Sequence, residues 1–245
     1  MSWLITPTER TPLDQDYRNV SLLLHGNGAN GSTTIVDNSP SPKTVTAVGN
    51  AQISTAQSKF GGASIAFDGS GDFLTIPANN AFDIGSGDCT AELWFYVNAN
   101  PGSTFGAYRR MLIGNYANST SGWSLQLGGT STAYTSIIFG DGDDTIINAS
   151  VAVSQNVWHH VALAKNGANC RLYFNGSQVG STASRPTFYS SSTRAFYVGR
   201  LNFSGTEAWD FSGFIDDIRI TKGVARYTSN FTPPTAPFPD AGPAQ

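Results

Sequence analysis

The stretch 156–180, NVWHHVALAKNGANCRLYFNGSQVG, constrains the fold of this chain more than any other part of the sequence. Two runs of apolar and β-forming residues, 157–164 and 171–174, each lead into an Asn-Gly pair, at 166–167 and 175–176. Asn-Gly readily adopts the positive φ angles of a tight hairpin, and short β-forming runs between such turns are typical of strands. The stretch therefore predicts a meander of three short antiparallel strands.

The composition extends this prediction to the rest of the chain. The 245 residues include 26 Gly and 12 Pro, and only 13% of the residues are charged. Turn-forming residues in this number favour strands joined by turns, whereas long solvent-exposed helices would need more charged side chains. An all-β chain of this length commonly folds as one sandwich, so we expect a single domain.

The charge and the hydropathy argue against two classes of partner. The formal net charge is −3, and the 14 basic residues are scattered along the chain. Basic residues scattered in this way do not predict the concentrated basic surface that binds nucleic acid or an anionic membrane. No apolar run approaches the roughly 18 residues of a membrane-spanning helix, and residues 1–16 lack the basic and apolar regions of a signal peptide. We expect no nucleic-acid partner, no membrane partner and no export signal.

The pattern along the chain divides it into three parts. Residues 1–19 are polar and show no apolar alternation, which predicts an extended N-terminal arm. Strand-like patterns fill residues 20–231, and bulky side chains occupy both faces of the run 90–97, as in a central strand. Residues 232–245 contain five prolines, which disfavour a sheet and predict a second extended arm.

Four pieces of sequence, in the family's order, resemble laminin-G-like, concanavalin A-like lectin domains. They are GASIAFDGSGDFLTIP at 62–77, TAELWFYV at 90–97, WHHV with LYFNG at 158–176, and the segment 196–227. The resemblance implies an all-β fold, a two-sheet antiparallel jelly-roll sandwich over residues 20–231, with the two arms outside it. It also implies that the last strand lies near the strand at 62–68.

The opening of this domain, SLLLHGNGANGSTTIVDNSPSP at 21–42, resembles laminin-G-like domains found in virion proteins of tailed bacteriophages. This resemblance implies a non-enzymatic structural protein of the virion, such as a capsid decoration or cement protein, a head fibre or a tail component. Its arms would dock onto other virion proteins, and a homo-oligomer would be natural on a symmetric particle. The alternatives are a carbohydrate-binding or adhesion module and, third, a glycoside hydrolase.

Catalytic residues are scarce in the sequence. A glycoside hydrolase needs two carboxylates flanking the scissile bond, and the three glutamates, Glu9, Glu92 and Glu207, lie far apart along the chain. Glu92 has no acidic residue two positions before or after it. The three histidines are not accompanied by a G-x-S-x-G motif. We therefore expect that the chain is not an enzyme.

Calcium is the one metal that the sequence makes worth considering. Asp216 alternates with apolar residues on a strand, where an unpaired carboxylate would be costly. Because the resemblance implies that this strand lies near the strand at 62–68, Asp216 could share a calcium ion with Asp68, or it could accept hydrogen bonds from loop N–H groups. The acidic loop GDGDDT at 140–145 offers a second cluster or a solvated turn.

Sugar binding needs an exposed aromatic plane and nearby polar groups on loops above a rigid sheet. Trp123 and Trp209 lie at strand or loop edges among small polar residues, and Asp141 and Asp143 lie in the acidic loop. We take these four residues as candidates for carbohydrate binding, with core packing as the alternative for each aromatic ring.

Two cysteines, Cys89 and Cys170, occupy strand positions. A domain of this size does not need a disulfide, so we expect free thiols, with a disulfide or a reactive thiol as the alternative.

Overall fold

The computed structural model describes residues 13–98, 108–116, 118–201 and 209–243. These residues form strands and two short 3-10 helices, at Tyr17–Asn19 and Asn80–Phe82. In chain order the strands are β1 (Val20–Leu24), β2 (Thr46–Val48), β3 (Gln52–Ser54), β4 (Ser64–Asp68), β5 (Phe73–Ile76), β6 (Cys89–Val97), β7 (Arg110–Gly114), β8 (Trp123–Gly129), β9 (Tyr134–Asp141), β10 (Asp144–Ser150), β11 (Trp158–Asn166), β12 (Asn169–Phe174), β13 (Ser177–Ser184), β14 (Phe196–Val198) and β15 (Ser212–Lys222). In these four ranges, no helix has the length and hydrophobicity needed to cross a bilayer.

The strands form two antiparallel sheets that face each other across one core. The first sheet has the order β13-β12-β11-β6-β15-β4-β3, and β1 pairs with the far half of β15. The second sheet has the order β10-β9-β8-β7-β14-β5-β2. The inward-facing side chains of both sheets form a continuous hydrophobic cluster. The predicted all-β sandwich is therefore confirmed.

The central meander and its turns follow the sequence pattern. Strands β11, β12 and β13 pair in succession, and β6 pairs with β11 on one side and β15 on the other. Asn175 and Gly176 have φ angles of 49° and 80°, so this Asn-Gly pair forms the hairpin turn that the sequence predicts.

A bulge in β15 overturns one expectation about the last strand. Phe214, Asp216 and Ile218 would share a face in a regular strand, but Asp217 has a φ of 50° and the register with β6 shifts there. The extra residue reverses the alternation, so that Ile215 and Ile218 face the core. Asp216 is left on the outer face, where residues 59 and 60 cover it.

The outer face of the first sheet is covered by both ends of the described chain. Phe238 is buried against Val20 and Leu23, and its N–H donates to Asp217 at 2.8 Å. Residues 232–243 contain no strand, as the prolines predict, but they are docked on their own domain. The predicted C-terminal arm therefore lies along its own domain, and its docking onto other virion proteins stays a prediction. Residues 1–12 and 244–245 lie outside the described ranges.

Buried ion pairs hold these ends in place. Arg219 donates to Glu92 at 2.7 Å and to Asp14 at 3.2 Å, and Arg226 donates to Asp14 at 2.7 Å. The Tyr227 hydroxyl donates to the other oxygen of Glu92 at 2.8 Å. Burial alone would raise the pKa of Glu92, but the Arg219 guanidinium and its other partners lower it to about 2. Glu92 is therefore a fully paired structural carboxylate.

A second buried charge lies near the end of β11. The Lys165 ammonium is buried and donates to the backbone carbonyls of Ser86, Gly87 and Gly167 at 2.7–3.0 Å. All three of its donors are used, which removes most of the cost of burying the charge.

Both cysteines are buried and carry free thiols, as expected. Burial raises the pKa of Cys89 to about 12 and that of Cys170 to about 11. Thiols with such high pKa values react slowly as nucleophiles.

Asp216 makes the stability of the fold depend on pH near neutrality. Its carboxylate accepts hydrogen bonds from the N–H groups of Lys59 and Phe60, yet burial raises its pKa from 3.8 to about 7. The folded state therefore binds a proton more tightly than the unfolded state does. This contribution to stability is complete below the unfolded pKa and is lost as the pH rises through about 7.

We predict that the Asp216 contribution to the free energy of unfolding falls by about 2 kcal/mol between about pH 5 and pH 8. Asp216→Asn mimics the protonated acid and should lose this part of the pH dependence. Urea unfolding of both proteins across this range measures the difference, and the raised pKa of His25 contributes to both pH profiles. Identical pH profiles for the two proteins would contradict the assignment.

Candidate functional site

A groove on the outer face of the second sheet has the clearest features of a binding site. It encloses about 160 Å³ and lies over β8, β9 and the start of β10. The side chains that line it share a polar or aromatic character, and they are Arg109, Tyr116, Gln126, Asp143, Asp144, Thr145 and Trp209.

The strands beneath the groove determine which side chains reach it. Leu125 and Leu127 of β8 face the core, so the alternation directs Gln126 to the outer face. Gly140 of β9 is also part of the groove, and a Cβ there would lie 3.0 Å from Ser124 Oγ. The glycine therefore keeps the floor of the groove open between β8 and β10.

Arg109 connects the aromatic and polar sides of the groove. Its guanidinium lies 5.5 Å from the centre of the half-buried Trp209 ring. It also lies 3.5 Å from both Gln126 Oε1 and Thr145 Oγ1. Contacts of this length are weak hydrogen bonds. A ligand hydroxyl could replace either of them at little cost in free energy.

Tyr116 and Asp143 also line the groove and contact each other. The Tyr116 hydroxyl donates to the Asp143 carboxylate. Burial and the neighbouring carboxylate raise the pKa of Tyr116 above its ordinary value. Tyr116 therefore remains a neutral donor at physiological pH, and Asp143 remains an exposed acceptor.

These groups together suit a polar ligand with one apolar face. The Trp209 ring offers an aromatic surface, while Arg109, Asp143 and Thr145 offer planar or hydroxyl hydrogen-bonding groups beside the buried Gln126 amide. This combination is what a sugar ring requires, because its C–H face stacks on an aromatic plane and its hydroxyls need both donors and acceptors.

The structure brings together only two of the four residues that the sequence predicts for sugar binding. Trp209 and Asp143 both line the groove. Trp123 is 1% exposed, and its indole N–H donates to the Phe82 carbonyl at 3.1 Å. The expectation that Trp123 offers a sugar-binding plane is therefore wrong, because its ring is part of the core.

Asp141 also has a structural role. It is buried, accepts a hydrogen bond from Arg185 at 2.6 Å and another from the N–H of Tyr189 at 3.0 Å. These bonds occupy its carboxylate beneath the acidic turn, so Asp141 does not line the groove.

Sequence reasoning missed Arg109, Gln126 and Thr145. Each is an ordinary polar residue at a strand position or next to one, and the three are far apart in sequence. Only the outward position of Gln126 within the alternation of β8 gave a signal, and that signal does not distinguish a site residue from a solvated one.

The predicted calcium pair does not form. Asp68 lies opposite Ser212, whereas Asp216 is four residues farther along β15, about 13 Å away along the strand. Asp216 accepts loop N–H groups, which was the alternative expectation, and Asp68 accepts from Ser70 and Asn50. Across the described ranges, no three His, Cys, Asp or Glu side chains cluster closely enough to hold a metal ion.

Several solved structures share this fold at low sequence identity. Domain 4 of AbnA, an extracellular arabinanase from Geobacillus stearothermophilus solved with arabinotriose, has a TM-score of 0.58 and 15% identity, over 84% of this chain and 93% of that one. The binding domain of Paraclostridial Mosquitocidal Protein 1 has a TM-score of 0.63 and 15% identity, over 86% of this chain and 50% of that one. The botulinum neurotoxin serotype D binding domain has a TM-score of 0.59 and 17% identity, over 85% and 49%. The chain therefore spans about half the length of these two toxin domains.

The sequence itself identifies the family. No curated protein sequence matches the chain. A family model for the concanavalin A-like lectin/glucanases superfamily matches residues 68–226, which is more than half of the 245 residues. The motifs at 90–97 and 158–176 fall inside this match. This chain belongs to the concanavalin A-like lectin/glucanases superfamily.

Proposed function

We propose that this chain is a carbohydrate-binding domain and that the groove around Trp209 is its glycan site. The observation that carries the proposal is the arrangement of Arg109, Gln126 and Thr145 beside the Trp209 ring. The groove of about 160 Å³ is smaller than the pockets of about 300 Å³ or more that enclose drug-sized ligands. It suits one sugar residue of a longer glycan that crosses the surface.

The fold neighbours support a glycan as the ligand. Domain 4 of the arabinanase was solved with arabinotriose, and cell entry of botulinum neurotoxin type C depends on interaction with two ganglioside molecules. Arabinotriose and the oligosaccharide of a ganglioside are therefore the first probes to use.

We propose that binding occurs without hydrolysis. The strand glutamate Glu92 is buried and paired with Arg219, so it has no access to a substrate. In the groove, the Asp143 carboxylate accepts from Tyr116, and Asp144 lies 3.3 Å from Arg185. An assay for reducing sugar released from the bound glycan tests this proposal, and sustained release would overturn it.

Trp209→Ala should weaken glycan binding at least about tenfold, because stacking on an aromatic ring contributes about 1.4 kcal/mol or more. The matched control is Trp158→Ala, which removes a half-buried tryptophan from the first sheet, where it lies against Tyr96. Isothermal titration with arabinotriose and with a ganglioside oligosaccharide measures both variants. Equal loss of affinity in the two variants, or none in Trp209→Ala, would contradict the assignment.

We also propose that the domain serves in a phage virion. The support is the resemblance of the opening at 21–42 to virion proteins. We propose that the N-terminal stretch 1–12 or the body of the sandwich makes the assembly contact, because residues 232–243 lie against their own domain.

For this virion role, light scattering should give a homo-oligomer for the full-length chain. A chain that begins at residue 13 should be a folded monomer if the N-terminal stretch makes the contact. If both chains are oligomeric, the contact belongs to the sandwich. Two monomers of equal stability would contradict a role in assembly.

A further inference from the structure

A second cavity lies at the other end of β15 from the glycan groove. It encloses about 310 Å³ between the start of β1, the loop after β1, the 3-10 helix at 80–82 and the end of β15. Its polar lining residues are Arg18, Asn19, Ser21, Ser41, Lys43, Asn79 and Lys222. Because Trp209 precedes β15 and Lys222 ends it, the two cavities are about 30 Å apart along the strand.

Positive charge distinguishes this cavity. Three cationic side chains line it, from Arg18, Lys43 and Lys222, and its lining contains no carboxylate. The whole chain has only 14 basic residues and a net charge of −3, so this local grouping opposes the overall charge. An anion bound in the cavity would be attracted by all three cations.

Both lysine side chains are held in place by backbone carbonyls. Lys222 Nζ donates to the Asn80 carbonyl at 2.7 Å, and Lys43 Nζ donates to the Ser41 carbonyl at 2.6 Å. An ammonium has three donors, so each of these two retains donors for a ligand. The site would therefore be partly organised before an anion arrives.

Lys43 is largely removed from water and has one long ion pair, with the buried Asp37 carboxylate. Its side chain is 9% exposed, and Nζ lies 3.9 Å from Asp37 Oδ2. That carboxylate already accepts the N–H groups of Leu23, Ser39 and Lys43. Burial lowers the pKa of Lys43 below its ordinary value, although Asp37 opposes this. An anion in the cavity would complete the environment of this ammonium.

We propose that this cavity binds an oxyanion, a sulfate or phosphate group that is either free or attached to a glycan. Cations, hydroxyls and amide groups line the cavity from four separate segments of the chain, around residues 18–21, 41–43, 79 and 222. A tetrahedral group with several acceptor oxygens matches donors from several segments better than a planar carboxylate does.

Titration calorimetry at low ionic strength, with sodium sulfate and with sodium phosphate, tests the proposal. The wild-type chain should bind saturably, and Lys43→Gln and Lys222→Gln should each weaken binding by about tenfold or more. Arg171→Gln removes a cation from β12, three strands away from β15 in the first sheet, and should leave binding unchanged. Thermal unfolding without anion checks the fold of each variant, and Lys222→Gln decides the result if Lys43→Gln is unstable.

No saturable binding by the wild type, or equal weakening by Arg171→Gln, would overturn the proposal. A sulfated oligosaccharide and its desulfated counterpart then separate the two sources of the anion. Preference for the sulfated form that survives in Trp209→Ala identifies a glycan-borne sulfate at this cavity. Equal binding of inorganic sulfate and the sulfated oligosaccharide identifies the free ion. Loss of the preference in Trp209→Ala would place the sulfate in the groove and contradict this assignment.

Discussion

The buried ion pair between Glu92 and Arg219 is the contact on which the rest of the structure depends. It joins the two central strands of the first sheet, β6 and β15, on the face that points away from the core. Removing one member of such a pair generally costs about 3–5 kcal/mol, because the other charge stays buried alone. Asp14 and Arg226 extend the pair and draw both ends of the described chain onto the same face.

This arrangement gives the two sheets different roles. The chain's own ends cover the outer face of the first sheet, and the groove lies on the outer face of the second. Anchoring Asp14 also places Arg18 beside Lys222, since β1 follows directly and pairs with the end of β15. The cavity lined by Arg18, Lys43 and Lys222 thus depends on the pairing of β1 with the end of β15 in the first sheet. The groove depends instead on β7 to β10 and on the segment that carries Trp209.

Much of the fold could be predicted from local patterns. The Asn175-Gly176 turn, the bulky faces of 90–97 and the prolines after residue 231 each have a direct physical meaning, and the structure agrees with all three. The bulge at Asp217 could not be predicted, because a positive φ at an aspartate is stabilised by its distant partners His25 and Phe238. The docking of the C-terminal segment depends on the same contacts.

The candidate site was predicted only in part, for a related reason. An aromatic residue among small polar neighbours can be exposed, as Trp209 partly is, or buried, as Trp123 is. The difference lies in contacts such as the hydrogen bond from Trp123 to Phe82, which joins residues 41 positions apart. Arg109 and Gln126 likewise become neighbours only when β7 and β8 pair.

Nuclear magnetic resonance can locate a bound oligosaccharide on the protein and so decide whether the groove is the glycan site. Arabinotriose or a ganglioside oligosaccharide would be titrated into the isotope-labelled full-length chain, and shifts in the amide and indole resonances would be followed. If the groove binds the glycan, the largest shifts will belong to the Trp209 indole and to the amides of Gln126, Gly140 and Thr145, which line it. Shifts that cluster on the first sheet or around Lys222, with the groove unchanged, would contradict this assignment.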